Sequence, residues 1–167
     1  SIQVSICPPN STAFNAWAYK DDFDAVPGTS SHASSKNASN DEIHVVVVDH
    51  GGELTGTKGT VLERYPFVSI ASDAKNTDGT TNFAKDIVNA RSEYIHMVGF
   101  DSDYSSAGAG TTADSGDNFS PGLTAATNHN FTKGANSGAL GTSEVLSGFD
   151  LFEDKDIVEV DFLVAPS

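Results

Sequence analysis

The chain has 167 residues, enough for one domain of ordinary size, and its 23 acidic and 9 basic side chains give a formal net charge of −14. This charge excludes binding to nucleic acid over a broad face and attraction to an anionic membrane surface, because both require clustered Lys and Arg. Cys7 is the only cysteine, so neither an internal disulfide nor a cysteine-based metal cluster can form. No apolar run approaches the roughly 20 residues of a membrane span.

Strand patterns dominate the N-terminal part of the chain. Apolar and polar residues alternate over residues 2–6, which predicts a half-buried strand, and residues 14–19 are a second strand candidate. Five of the six residues 43–48 are apolar and β-branched. They predict an interior strand that is covered on both faces and flanked by residues 61–65 or 158–164.

The middle of the chain continues with a turn, a strand and a helix. Asp49-His50-Gly51-Gly52 is a strong turn signal, and residues 60–70 predict a strand that bends at Pro66. Apolar residues at helical spacing predict a helix over residues 83–91, and residues 94–100 predict a short strand.

Residues 105–143 differ in composition from the rest of the chain. Of these 39 residues, 26 are Gly, Ser, Ala or Thr, so the segment has little to bury and is expected to be a long surface excursion. Residues 145–152 then predict a helix with one apolar stripe, and residues 157–164 a closing strand. This order predicts an α/β fold, with α+β as the alternative: an open mixed β-sheet with packed helices and one long Gly/Ser/Thr/Ala-rich insertion.

One group of acidic residues and histidines is a candidate for catalysis. A hydrolase would use Asp41, Glu42, Asp49 and His50, because acid–base chemistry needs titratable groups that converge on a substrate. The intervening strand separates its two ends by about 20 Å, at roughly 3.3 Å per residue. We therefore expect these residues to solvate the strand ends and to form the turn, and we interpret His44 as a hydrogen-bonded packing residue.

Two further segments resemble known binding motifs but lack the residue order or spacing that those motifs require. In residues 51–58 a Thr-Lys order replaces the Lys-Thr order that a phosphate-binding loop requires. Asp101 and Asp103 begin like a calcium loop, but the sixth and twelfth positions do not match. We predict no catalytic residue, no cofactor-binding residue and no metal ligand, and in particular no metal at His44 or His50.

A series of short motifs is spread over most of the chain in a defined order. They are Phe14-Asn15-Ala16-Trp17-Ala18-Tyr19, Pro27-Gly28-Thr29-Ser30, residues 40–49, residues 55–65, Val68-Ser69, Asp73-Ala74-Lys75, Asp78-Gly79-Thr80 and Gly148-Phe149-Asp150-Leu151-Phe152. This series resembles the tail sheath protein of contractile-tailed, T-even-like bacteriophages. The resemblance is dense over residues 14–100 and resumes over residues 141–166, whereas residues 101–140 depart from it.

The resemblance implies a structural protein and not an enzyme. Sheath subunits form stacked hexameric rings around a tail tube, and the sheath shortens to drive the tube through the host envelope for genome ejection without hydrolysing a nucleotide. The implied partners are other copies of the sheath protein, the tube protein, the baseplate and the tail terminator, with neither direct contact with nucleic acid nor insertion into a membrane. The implied location is the virion, and the host cytoplasm during assembly.

The same resemblance sets the expected domain organisation. Because the chain begins without Met and ends after a strand-like run, we predict that residues 1–167 are a single-domain fragment of a larger sheath subunit. Residues 101–143 are expected to be a variable insertion on the outer surface of the sheath, so that a deletion of about 30 residues there would leave folding intact.

A third hypothesis concerns the insertion alone. A glycan- or receptor-binding module of a virion protein would need aromatic rings along a shallow groove. The segment offers Tyr104, Phe119 and Phe131 for this purpose.

Overall fold

A computed structural model describes residues 1–131, 141–143 and 146–147 of the chain. The chain divides into two compact units, Ser1–Thr132 and Lys133–Ser167. In the second unit, Thr142, Ser143, Leu146 and Ser147 are helical. The remainder of the helix predicted over residues 145–152 and the strand predicted over residues 157–164 lie outside the described residues.

The first unit is built on one sheet of four strands in the spatial order β3-β2-β1-β4. The strands are β1 (Ile2–Cys7), β2 (Glu42–Asp49), β3 (Thr60–Ser69) and β4 (Thr127–Asn130). All three pairings between these strands are antiparallel. The fold class predicted from the sequence, an open sheet with packed helices, is confirmed. Because the described strands are all antiparallel, the arrangement matches the α+β alternative.

Four short helices accompany the sheet in the described part of the first unit. They are α1 (Ser11–Ala16), α2 (Ser31–Ser35), α3 (Ala84–Arg91) and α4 (Ser102–Ser106), and a single 3-10 turn spans Lys20–Asp22. The predicted helix over residues 83–91 is confirmed as α3, which buries Ala84, Ile87 and Val88.

Strand β2 lies inside the sheet and is covered on both faces, as predicted. Val45 and Val47 face a core that includes Val88 of α3. Val46 and Val48 face the other way, onto a second core around Trp17. The strand is flanked by β1 and β3, so residues 61–65 provide the predicted neighbour on one side. Both faces of β2 therefore exclude water.

Strand β3 bends where the sequence places Pro66. Tyr65 pairs with Val45 and Val68 pairs with Ile43, so Pro66 and Phe67 together oppose the single residue His44. Two residues opposite one form a β-bulge, and Phe67 has a φ of 50° there, an unusual value for a residue with a side chain. The bulge turns the Phe67 backbone towards β2.

Two predicted strands are wrong, and side-chain hydrogen bonds explain both errors. Residues 14–19 overlap α1, which begins because the side chain of Asn10 accepts a hydrogen bond from the Ala13 N–H at 3.0 Å. Residues 94–100 form no strand in the described structure. Instead, the Asn89 amide accepts from the Met97 N–H at 2.7 Å and donates to the Met97 carbonyl at 2.9 Å. The Asn89 side chain thus takes the place of a neighbouring strand.

The expectation that residues 105–143 have little to bury is wrong for their described part. Ala113 and Phe119 are buried in the main core, together with Tyr104 just before them. Hydrogen bonds also hold the backbone of this segment in place. The Ser39 N–H donates to the Asp117 carbonyl, and the Phe119 N–H donates to the Ser39 carbonyl. A few large side chains and backbone hydrogen bonds thus integrate a segment whose average composition is typical of a loop. A deletion that removes Phe119 would open the core.

Phe119 provides a test of this integration. Phe119→Ala should lower the free energy of unfolding by about 3–5 kcal/mol, because it leaves a cavity at a side chain that is only 1% exposed. Chemical denaturation followed by far-UV circular dichroism measures the change. Phe131→Ala is the matched control, since Phe131 is 50% exposed, and it should have a clearly smaller effect. Equal effects of the two substitutions would contradict the assignment of Phe119 to the core.

Candidate functional site

The acidic residues proposed for catalysis lie at opposite ends of β2 and bind different parts of the chain. Asp41, just before β2, is fully buried. Its carboxylate accepts hydrogen bonds from the Ser30 N–H at 2.8 Å, the Ser30 hydroxyl at 2.7 Å and the Ser69 hydroxyl at 2.5 Å. Ser30 is also the N-cap of α2. Asp41 therefore joins α2 to the end of β3.

Asp49, at the other end of β2, organises the turn that follows. Its carboxylate accepts from the backbone N–H groups of Gly52, Leu54 and Thr55 at 2.8–3.0 Å and from the Thr55 hydroxyl at 2.9 Å. Burial opposes ionisation of this carboxyl, but the hydrogen bonds outweigh it and hold the pKa of Asp49 below its ordinary value. This confirms that Asp49 acts in turn formation.

The remaining two candidates do not complete a site with Asp41 or Asp49. Glu42 accepts a hydrogen bond from the Gly28 N–H at 3.1 Å, and burial raises the pKa of its carboxyl. His50 is exposed in the turn. None of these four residues lines the apolar cavity beside β1 and β4 or the polar pocket beside Trp17. The geometry that a two-residue acid–base mechanism needs is not formed among them.

His44 lies near the start of β2, and its fully buried side chain is surrounded by four aromatic rings. Phe23 stacks on the imidazole at a centroid distance of 4.2 Å, and Phe67 meets it edge-on at 4.5 Å, with Phe14 and Trp17 slightly farther away. The Phe67 N–H donates to Nδ1 at 3.0 Å, so Nε2 carries the proton and donates to the Ala25 carbonyl at 2.8 Å. His44 is a hydrogen-bonded packing residue, in agreement with its interpretation from the sequence.

Both ring nitrogens of His44 are thus engaged with backbone, and the ring is neutral. Burial lowers the pKa of His44 from its ordinary value of 6.5, against the smaller opposing effect of the hydrogen bond to Ala25. The contact between Nδ1 and Phe67 is the one that fixes the bulge of β3, since a protonated ring could not accept it.

Two further carboxylates, those of Asp73 and Glu63, connect segments that are distant in the chain, and the sequence analysis assigned them no such role. Asp73 accepts hydrogen bonds from the Lys36 ammonium at 2.5 Å and the Ala113 N–H at 2.9 Å, and His32 Nε2 lies 3.1 Å from its carboxylate. Burial opposes its ionisation, but these three partners together hold the pKa of Asp73 far below its ordinary range. Its carboxylate joins α2 to the segment after α4.

Glu63 of the edge strand β3 has a similar role. It accepts hydrogen bonds from the Tyr65 hydroxyl at 2.9 Å, the Ser92 hydroxyl at 2.6 Å and the Glu93 N–H at 2.8 Å. The end of α3 is thereby attached to β3. Asp73 and Glu63 thus both accept hydrogen bonds from groups within the chain.

An apolar cavity of about 310 Å³ opens over one face of the sheet, beside β1 and β4. Its walls come mainly from Val4, Ile6, Val88 and residues 95–100, with Phe131 at the rim. At its polar end, His129 Nε2 lies 3.4 Å from an Asp101 carboxylate oxygen.

The three aromatic residues of the glycan-binding hypothesis do not line one groove. Tyr104 and Phe131 line this cavity, whereas Phe119 is enclosed in the core. Burial raises the pKa of the Tyr104 hydroxyl. A sugar needs several hydrogen-bonding groups beside an exposed ring, and the mostly apolar walls provide few of them.

The described residues form no metal-binding cluster. In residues 1–131, 141–143 and 146–147, no group of three or more His, Cys, Asp or Glu side chains could hold a metal ion. Over the same residues, no helix has both the length and the apolar character to cross a membrane.

Comparison with protein-family models, with curated proteins and with solved structures finds no significant match to this chain. The resemblance to sheath proteins therefore depends on the motifs in the sequence itself.

Asp41 should be among the most sensitive polar positions. Asp41→Ala is expected to lower the free energy of unfolding by about 3 kcal/mol, because it leaves the Ser30 and Ser69 donors buried without their charged acceptor. Urea denaturation measures this change. Asp24→Ala, at an exposed position, is the control and should stay within about 0.5 kcal/mol of the parent. A loss below about 1 kcal/mol for Asp41→Ala would argue against the central role of this carboxylate.

His44 should make stability depend on pH in a defined direction. Because its pKa is lower in the folded chain than in the unfolded chain, acidification favours the unfolded state, which takes up the proton first. The contribution of His44 is complete above about pH 6.5 and declines as the pH falls from there towards the lowered pKa of the folded state. Urea denaturation at several pH values between about 5 and 7 measures the slope.

Two variants and one direct measurement separate His44 from other titrating groups. His44→Gln should lose this part of the pH slope, whereas His50→Gln, at an exposed turn position, should retain it. If His44→Gln does not fold, NMR titration of the His44 ring in the parent protein gives its pKa directly. A His44 pKa at or above 6.5 would refute the argument.

Proposed function

We propose that this chain is part of the subunit of a phage contractile tail sheath. The observation that carries the proposal is the order of short motifs over residues 14–100, which resembles that of T-even-like sheath proteins. In this role the subunit polymerises as stacked hexameric rings around the tail tube. Contraction then drives the tube through the host envelope for genome ejection.

The packing of the described residues supports a mechanical role. The segments that carry the motifs include residues 14–19, 40–49 and 55–65, and they belong to one body with two cores on either side of β2. A contractile sheath needs subunits that rotate as rigid bodies, because a subunit that deformed would dissipate the force. Cores on both faces of a central strand provide such rigidity.

The use of the carboxylates supports a structural role over a catalytic one. A catalytic carboxylate must be free to contact a substrate. Asp41, Asp49, Asp73 and Glu63 instead accept two or more hydrogen bonds each from the chain itself. These carboxylates therefore hold loops and helix ends in place.

The proposal also names partners and a location. Other copies of the sheath protein form the rings, the tube protein lies inside them, and the baseplate and tail terminator bound the stack. The protein would be found in the virion, after assembly in the host cytoplasm. A net charge of −14 opposes premature association of free subunits and favours assembly on a template.

Electron microscopy of the full-length protein that contains this chain tests the proposal. Negatively stained preparations, with and without the tube protein, should show hollow striated cylinders. A matched pair of variants makes the test sharper: Phe119→Ala should reduce cylinder formation through loss of folded subunits, and Asp24→Ala should not. A folded protein that stays monomeric under all these conditions, or that cleaves glycans, would contradict the sheath role.

Ionic strength gives an independent expectation for assembly. Raising NaCl from about 0.1 M to about 1 M shortens the Debye length from about 10 Å to about 3 Å and so weakens repulsion between acidic subunits. The critical concentration for polymerisation of the full-length protein, measured by sedimentation, should therefore fall. Sucrose at the same osmolality is the control, because it does not screen charge. A critical concentration that rises with salt would show that repulsion between subunits does not limit assembly.

A further inference from the structure

We draw no further inference here: the strongest candidate, the apolar cavity of about 310 Å³ between residues 95–101 and the face of the sheet beside β1 and β4, with the half-exposed Phe131 at its rim, is an unpartnered apolar face, and nothing in the described structure shows what covers it.

Discussion

The burial of β2 on both faces, from Ile43 to Asp49, is the constraint on which the rest of the first unit depends. A strand that is covered on both faces must have every polar group near it satisfied within the protein, because water cannot reach them. Asp41 at its start, His44 along its length and Asp49 at its end are all fully buried. Each meets the requirement by binding backbone or hydroxyl groups of segments next to the strand. The polar residues of β2 thus determine where the surrounding loops lie.

The interior strand could be predicted from the sequence because its evidence is local. A run of β-branched residues fits a sheet that is buried on both faces, whatever lies around it. The predicted bend at Pro66 and the helix over residues 83–91 are local in the same sense. The strand predicted over residues 94–100 failed because its outcome depends on Asn89, whose amide occupies the Met97 backbone groups that a neighbouring strand would need. That competition between a side chain and a strand is not visible in residue propensities.

In the candidate site, too, the features that depend on local sequence could be predicted, and those that depend on tertiary contacts could not. Strand geometry alone predicts that Asp41 and Asp49 lie far apart, so the length of β2 by itself argues against a shared catalytic site. The roles of Asp73 and Glu63 could not be predicted, because the partners that define them, such as Ala113 and Glu93, are distant in sequence and are brought close only by the fold. The burial of Phe119 was missed for a related reason. Average composition hides the few large side chains that decide whether a segment packs.

The distribution of these contacts is compatible with the proposed role of a mechanical subunit. Asp41, Asp73 and Glu63 each attach a helix or a loop to the sheet or to another loop, so displacement of one surface segment would require breaking a charge-assisted hydrogen bond. Arg64 of β3 likewise binds Asp22 near the second core. An enzyme keeps some polar groups unsatisfied until its substrate arrives, at a cost in stability. A subunit that transmits force gains nothing from such groups, since any segment free to move would absorb part of the work. The internal use of the carboxylates thus agrees with the function that the sequence motifs suggest.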